Sequence, residues 1–146
     1  MTSLRTIAVL QLFVLLSWTQ RILMSSNERS LSTTNCPKDN IPLYLLPVSS
    51  EAKCIDGSQP GFYYRPSTSP SSITKWHIHF EGGGWCWDLP WCNNRADTDY
   101  GSSKSYPRCL PPSQMNTKEF FSTNPKSNPL FHDWQTVHVK YCDGTS

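Results

Sequence analysis

An α/β fold built on an open sheet is what the sequence predicts, and three observations carry that expectation. Residues 75–80 alternate, with Trp76, Ile78 and Phe80 on one face and Lys75, His77 and His79 on the other, which is the period of a strand. That strand runs directly into Gly82-Gly83-Gly84, which cannot continue it. A second alternating run, Val137, Val139 and Tyr141 against Thr136, His138 and Lys140, also ends in a glycine turn, at Asp143-Gly144. Two strands that deliver such turns to one edge present backbone groups where open α/β sheets bind ligands, at the carboxyl ends.

The three glycines set the chemical expectation. Without Cβ atoms their backbone reaches φ > 0, lies close against a ligand and lets several N–H groups converge on one point. Esterases use an HGGG-type loop in this way, giving an N–H to the negative oxygen that develops when a nucleophile attacks an acyl carbon. Here Glu81 stands where that pattern has His. Acyl transfer is therefore one reading, and a plain turn that uses glycine for shape alone is the other. Glu81 is expected to accept N–H groups from the glycine loop and hold its shape. As a general acid it would instead pair with Asp143 in the manner of a glycosidase.

With 146 residues the chain has the length of about one domain. Its 13 basic and 11 acidic residues are scattered, leaving a net charge of +2 and no basic stripe for a nucleic acid. At the N-terminus Arg5 precedes residues 7–18, apolar except for Gln11 and Ser17, which reads as a secretory signal with cleavage between residues 17 and 26. An uncleaved anchor is the competing reading, because Ile22-Leu23-Met24 lengthens the apolar run; only then would a membrane be a partner. Either way residues 27–146 face an oxidising compartment. Six cysteines follow, at 36, 54, 86, 92, 109 and 142, an even count that favours disulfides. A bridge from Cys86 to Cys92 would pin the exit of the glycine loop and hold Trp85. No CxxC or HxxxH spacing supports zinc, and neither a metal nor a cofactor is expected.

Taken in order, residues 27–40 are polar and read as a mobile lead-in, and Ile41-Pro42-Leu43-Tyr44-Leu45-Leu46 opens the folded body, residues 41–146. Cys54-Ile55-Asp56-Gly57-Ser58 is a turn, Gly61-Phe62-Tyr63-Tyr64-Arg65 a strand, and residues 66–72 a Ser/Pro connection between strands. After the glycine loop a short helix is expected over 93–100 with Arg95 and Asp97 exposed, broken by Gly101-Ser102-Ser103. Neither Ser102 nor Ser103 stands in Gly-x-Ser-x-Gly, so neither is taken as a nucleophile. Residues 107–114 and 122–129 are proline-rich and read as surface loops, the Asn124-Pro125 and Asn128-Pro129 steps opposing helix. His77, His79, His132 and His138 read as solvent-facing or hydrogen-bonded structure. Trp85, Trp87 and Trp91 suit either sugar stacking or a core.

The residues Ile41-Pro42-Leu43, Cys54-Ile55-Asp56-Gly57-Ser58 and, above all, His79-Phe80-Glu81-Gly82-Gly83-Gly84-Trp85-Cys86 with Cys92 resemble the N-terminal part of plant-type pectin acetylesterases, a family that also includes the animal deacylase Notum. Arg95, Thr98, Gly101-Ser102-Ser103, Asn124-Pro125, Trp134 and Tyr141-Cys142-Asp143-Gly144 continue the match over about residues 41–146. The resemblance implies an α/β-hydrolase-like fold, of which this chain holds the N-terminal portion of the sheet. It also implies a secreted Ser/Asp/His esterase that removes acetyl groups from cell-wall pectin, with no cofactor. Gly83 and Gly84 would be oxyanion donors, with a shift of one position toward Trp85 left open, and Trp85 would wall the acyl or sugar pocket. Cys86–Cys92 and Cys54–Cys142 would be disulfides; Cys36 and Cys109 are left unassigned.

In that family the nucleophile elbow follows the Tyr-Cys-Asp-Gly segment, and this sequence ends at Ser146, which follows Gly-Thr and lacks the elbow. The expectation is thus a chain with half an oxyanion hole and no triad, inactive by itself. Two other classes remain: an esterase for a different acyl group, and a catalytically dead sugar-binding module that uses Trp85, Trp87 and Trp91.

Overall fold

The computed structural model describes residues 35–114 and 120–145, so the signal segment, residues 27–34 of the lead-in and Ser146 lie outside the described residues. The strand-period runs form β1 (Ile41–Leu45), β2 (Gly61–Arg65) and β3 (Trp76–Phe80), then α1 (Leu89–Ala96), the two-residue β4 (Cys109–Leu110) and β5 (Gln135–Val139). They make one mixed sheet in the order β3-β5-β2-β1-β4. β3 pairs with β5 in parallel, while β5–β2, β2–β1 and β1–β4 are antiparallel. The parallel pair sets the site, because both strands exit at the same edge. There Glu81 N–H donates to Val139 O at 2.9 Å, carrying the ladder one step past β3, and Cys86 N–H donates to Gly144 O at 3.1 Å.

The face that is buried is the one with histidines on it. Register aligns His79 with His138, His138 with Tyr63, and Tyr63 with Leu43, so these side chains share a face with Ile41 and Leu110. Ile41, Tyr63, Leu110 and Phe121 form its core, with Leu43 packed against them. Trp76, Ile78 and Phe80, on the other face of β3, are 49%, 53% and 72% exposed, so the apolar face of β3 is the outer one.

Two expectations are corrected. Residues 107–114 and 122–129 are more than surface loops: they include β4, bring Leu110 inside, and bury Asn128, whose Nδ2 donates to Phe120 O at 2.9 Å and Ser122 O at 3.1 Å beside the core residue Phe121. A short polar side chain takes over the backbone bonding that proline denies to the loop. The helix starts earlier than 93, at Leu89, because Asp88 caps it: Oδ1 accepts Trp91 N–H at 2.8 Å and Pro90 sits in the first turn. It ends before 100 because Thr98 Oγ1 donates to Arg95 O at 2.8 Å and takes over the last turn.

Three disulfides staple this frame, Cys36–Cys109, Cys54–Cys142 and Cys86–Cys92. The first ties the end of the lead-in to β4. The second joins the turn at residues 54–58 to the exit of β5, where Ile55 N–H also donates to Cys142 O at 2.8 Å. Cys54–Cys142 closes a separation of 88 residues and Cys86–Cys92 one of 6. Loop-closure entropy then gives the long bridge about 4–5 kcal/mol and the short one about 2 kcal/mol. Replacing Cys54 and Cys142 together by Ser should lower the unfolding free energy by roughly twice as much as replacing Cys86 and Cys92, measured by urea unfolding; equal losses would contradict this ordering.

Candidate active-site loop

The site is assembled where β3 and β5 end. Glu81, the first residue past β3, turns its carboxylate to β5: Oε1 lies 2.6 Å from Lys140 Nζ and Oε2 accepts Tyr141 N–H at 3.1 Å. It therefore does not accept N–H groups from the glycine loop as expected, because the parallel neighbour offers a cation and a free amide at closer range. The Glu81 and Asp143 carboxylates, the pair a glycosidase reading would need, each bond to other partners. Both Glu81 oxygens are engaged, and Asp143 accepts Thr145 N–H and Oγ1.

The glycine loop lies between Tyr141 and α1. A Cβ on Gly83 would overlap the Tyr141 ring, so only glycine fits there, and Gly84 has φ +65. Tyr141 Oη donates to Gly84 O at 2.5 Å. The Arg95 guanidinium donates to Gly83 O at 2.5 Å, to Gly84 O and to Tyr141 Oη at 2.9 Å. Sequence reasoning left Arg95 exposed; the helix start fixed by Asp88 instead puts it in the last turn of α1, half-buried against the loop. The signal that could have located it is the Asp88-x-Pro90 cap. At the exit, Cys86–Cys92 holds the loop to α1. Among the described residues nothing accepts the N–H groups of Gly82, Gly83, Gly84 and Trp85, whereas the Gly83 and Gly84 carbonyls are both taken.

Trp85 is 66% exposed next to these donors, and Trp87, just before the cap of α1, stacks at 5.1 Å on Trp91 of its first turn. Ser102 and Ser103 are buried parts of the frame. Ser102 Oγ donates to Asp56 Oδ2 at 2.8 Å and Ser103 N–H to Ser58 Oγ at 3.0 Å. Burial pushes the Asp56 carboxyl upward, but hydrogen bonds from Ser58, Lys104 and Ser102 outweigh it and hold the group well below the usual carboxylate range. A polar hollow of about 440 Å³ is lined by His79, Glu81, Gly82, Tyr106, His138 and Lys140, among others. Among the described residues no group of His, Cys, Asp and Glu could hold a metal ion, and no helix is long and apolar enough to cross a membrane.

The Pectinacetylesterase family model matches residues 34–146. The chain belongs to this family of carboxylic ester hydrolases. It is 38% identical over 112 residues to Pectin acetylesterase 5 of Arabidopsis thaliana, a match spanning 75% of this chain and 25% of that protein. It is 39% identical over 99 residues to the palmitoleoyl-protein carboxylesterase Notum of Schmidtea mediterranea, spanning 66% of this chain and 18% of that one. Among solved structures it resembles the Wnt deacylase Notum from Drosophila, at a TM-score of 0.58 and 26% identity over 72% of this chain and 28% of that one. The five-stranded mixed sheet is accordingly part of an α/β-hydrolase fold. The chain spans about a quarter of the length of the curated relatives it matches.

The histidines behave as structure. His79 Nδ1 and His138 Nδ1 lie 3.0 Å apart, so one ring donates to the other, and Phe121 packs edge-on to both. Burial pushes His138 down to about 4, and the charges of His79 and Lys140 act in the same direction. An unfolded-chain histidine takes up its proton near pH 6.5, so between about 6.5 and 4 the unfolded chain binds the extra proton and folding stability falls as pH falls. His77, lowered by burial first, adds to the trend. Unfolding free energy should drop between pH 7 and pH 4.5, with roughly 2–3 kcal/mol of the loss due to His138. His138→Gln should flatten the pH profile, and an unchanged profile in that variant would count against this origin.

Proposed function

We propose that the protein carrying this chain is a secreted pectin acetylesterase, a serine esterase that removes acetyl groups from cell-wall pectin. The observation that carries the reading is the glycine loop at the carboxyl edge of β3, with its Gly83 and Gly84 carbonyls tied back and its N–H groups without partners among the described residues, in a chain of the pectin acetylesterase family. When a nucleophile adds to an acetyl carbon, the carbonyl oxygen becomes an oxyanion, and fixed donors from the stretch Gly83, Gly84 and Trp85 stabilise it. A single such donor is typically worth about 2.7–4 kcal/mol of barrier. Trp85 walls the pocket for the acyl or sugar group. Collapse of the tetrahedral adduct expels the sugar hydroxyl, and water then releases acetate from the acyl-enzyme. The 146 residues contain no Gly-x-Ser-x-Gly elbow, so the nucleophile, its base and its orienting acid come from other parts of the protein. No cofactor and no nucleic acid take part. Residues 1–26 direct secretion, with a membrane as partner only if that segment stays uncleaved.

A second reading follows from the Notum relatives, which are palmitoleoyl-protein carboxylesterases: the same donors would serve a protein-linked acyl ester. The family model and the Arabidopsis relatives favour pectin. The full-length gene product is expected to release acetate from acetylated pectin and to leave a palmitoleoylated peptide intact, with acetate measured enzymatically and peptide by mass spectrometry; the opposite preference would replace the first reading by the second. The 146-residue chain alone should hydrolyse no aryl acetate. Hydrolysis by it that a serine-directed inhibitor abolishes would overturn the assignment of the nucleophile elsewhere.

A further inference from the structure

We propose that Arg95 and Tyr141 are positioning residues that aim the N–H groups of the glycine loop, acting as a clamp on the Gly83 and Gly84 carbonyls. The proposal rests on the esterase reading for its catalytic consequence and on the structure for its geometry. In a planar trans peptide the N–H points opposite to the preceding C=O. Fixing Gly83 O therefore fixes the direction of the Gly84 N–H, and fixing Gly84 O fixes that of the Trp85 N–H. Arg95 binds both carbonyls through one planar fork and Tyr141 Oη reinforces the second at 2.5 Å. Both N–H groups are thereby sent to the side away from the cation, and the donor pair is Gly84 and Trp85, one position beyond Gly83 and Gly84.

A clamp is needed because little else restrains these peptides. An added Cβ would meet nothing within 4 Å at Gly82, and at Gly84 only Arg95 Nη2 at 4.0 Å, so side-chain packing is confined to Gly83, where the Tyr141 arm of the clamp itself supplies it. Glycine peptides flip readily, and a flipped plane would offer a carbonyl, not an N–H, to a forming oxyanion. The clamp is itself braced. The guanidinium lies 5.8 Å from the centroids of both the Tyr100 and Tyr141 rings. A Cβ on Gly101 would overlap the Arg95 carbonyl, so the chain that closes α1 packs directly on the residue that reaches out from it. The Tyr141 amide is bonded to Glu81, which anchors the second arm to the end of β3. At the other end of α1, Cys86–Cys92 keeps the helix at a fixed distance from the loop.

The test uses the full-length gene product and its Arg95→Met, Arg95→Lys and Tyr141→Phe variants. With an aryl acetate, Arg95→Met should lower kcat by roughly a hundredfold or more with KM changed less than threefold, the signature of lost oxyanion donors. Arg95→Lys, a point charge that meets one carbonyl, should be intermediate, and added guanidinium should restore part of the activity of Arg95→Met. Tyr141→Phe keeps the ring over Gly83 and removes two bonds, the one to Gly84 O and the one from Arg95, so it should lose several-fold in kcat; it decides the matter if Arg95→Met does not fold. A residue that merely braces the helix would lower the unfolding midpoint and leave kcat alone, and kcat within twofold of the unsubstituted protein in Arg95→Met or Tyr141→Phe would overturn the proposal. If the unsubstituted protein hydrolyses no ester, the esterase reading fails by itself. The carbonyl ¹³C resonances of Gly83 and Gly84 then decide the clamp: they should shift in both variants while those of β2 stay, and unchanged resonances would sink it.

Discussion

The parallel pairing of β3 with β5 is the constraint on which the rest of the molecule depends. The two strands are 59 residues apart in sequence at the His79–His138 pair, yet their ladder aligns five residue pairs and continues to Glu81. Parallel pairing demands a long crossover, and here the crossover contains the glycine loop, α1, β4 and the core residue Phe121. Because both strands point the same way, their exits meet, and only there can the residues after β5 act on those after β3. Lys140 and Tyr141 neutralise and fix Glu81, Tyr141 packs over Gly83, and Gly144 receives the Cys86 amide.

The sheet buries the face that hydropathy alone would leave outside. His79 and His138 are joined by one hydrogen bond, and burial beside the rings of Tyr63 and Phe121 favours the neutral form of His138. A neutral imidazole between aromatic rings packs as a flat, weakly polar group. The opposite face carries Tyr44, Phe62, Tyr64 and Trp76 in a continuous series of aromatic contacts at 5.6–6.1 Å. Cross-strand pairing of that kind stabilises a sheet face even when it is partly open to water.

Charge within the frame is handled by local pairing. Asp56 closes its own turn through Ser58, receives Ser102 from the segment after α1 and meets Lys104 at 3.0 Å. The Lys104 side chain is largely exposed, so the ion pair adds little and the hydroxyl bonds hold the turn. Gly101 and the two serines that follow are therefore scaffold for the loop. The Ser102 hydroxyl and the Ser103 amide are spent on packing the turn at residues 54–58 against the chain that leaves the helix.

The sequence by itself determined the strands at 61–65 and 76–80, the glycine loop between strand and disulfide, and the family, because these depend on side-chain alternation, on the absence of Cβ atoms and on a short contiguous motif. It also identified the edge at which two glycine turns meet. The start of α1 was legible in the Asp88 and Pro90 cap but was displaced by the weaker polar run that follows. What only the tertiary structure decided is every relation across the crossover. Glu81 could be seen to precede the glycines, but whether it faced the loop or β5 depended on Lys140 and the Tyr141 amide arriving beside it. Arg95 read as an exposed helix residue, since no local pattern reports that carbonyls 11 and 12 residues earlier lie within its reach. Contacts between residues far apart in the chain follow from strand register and helix placement, and those are set by the packing of the whole sheet.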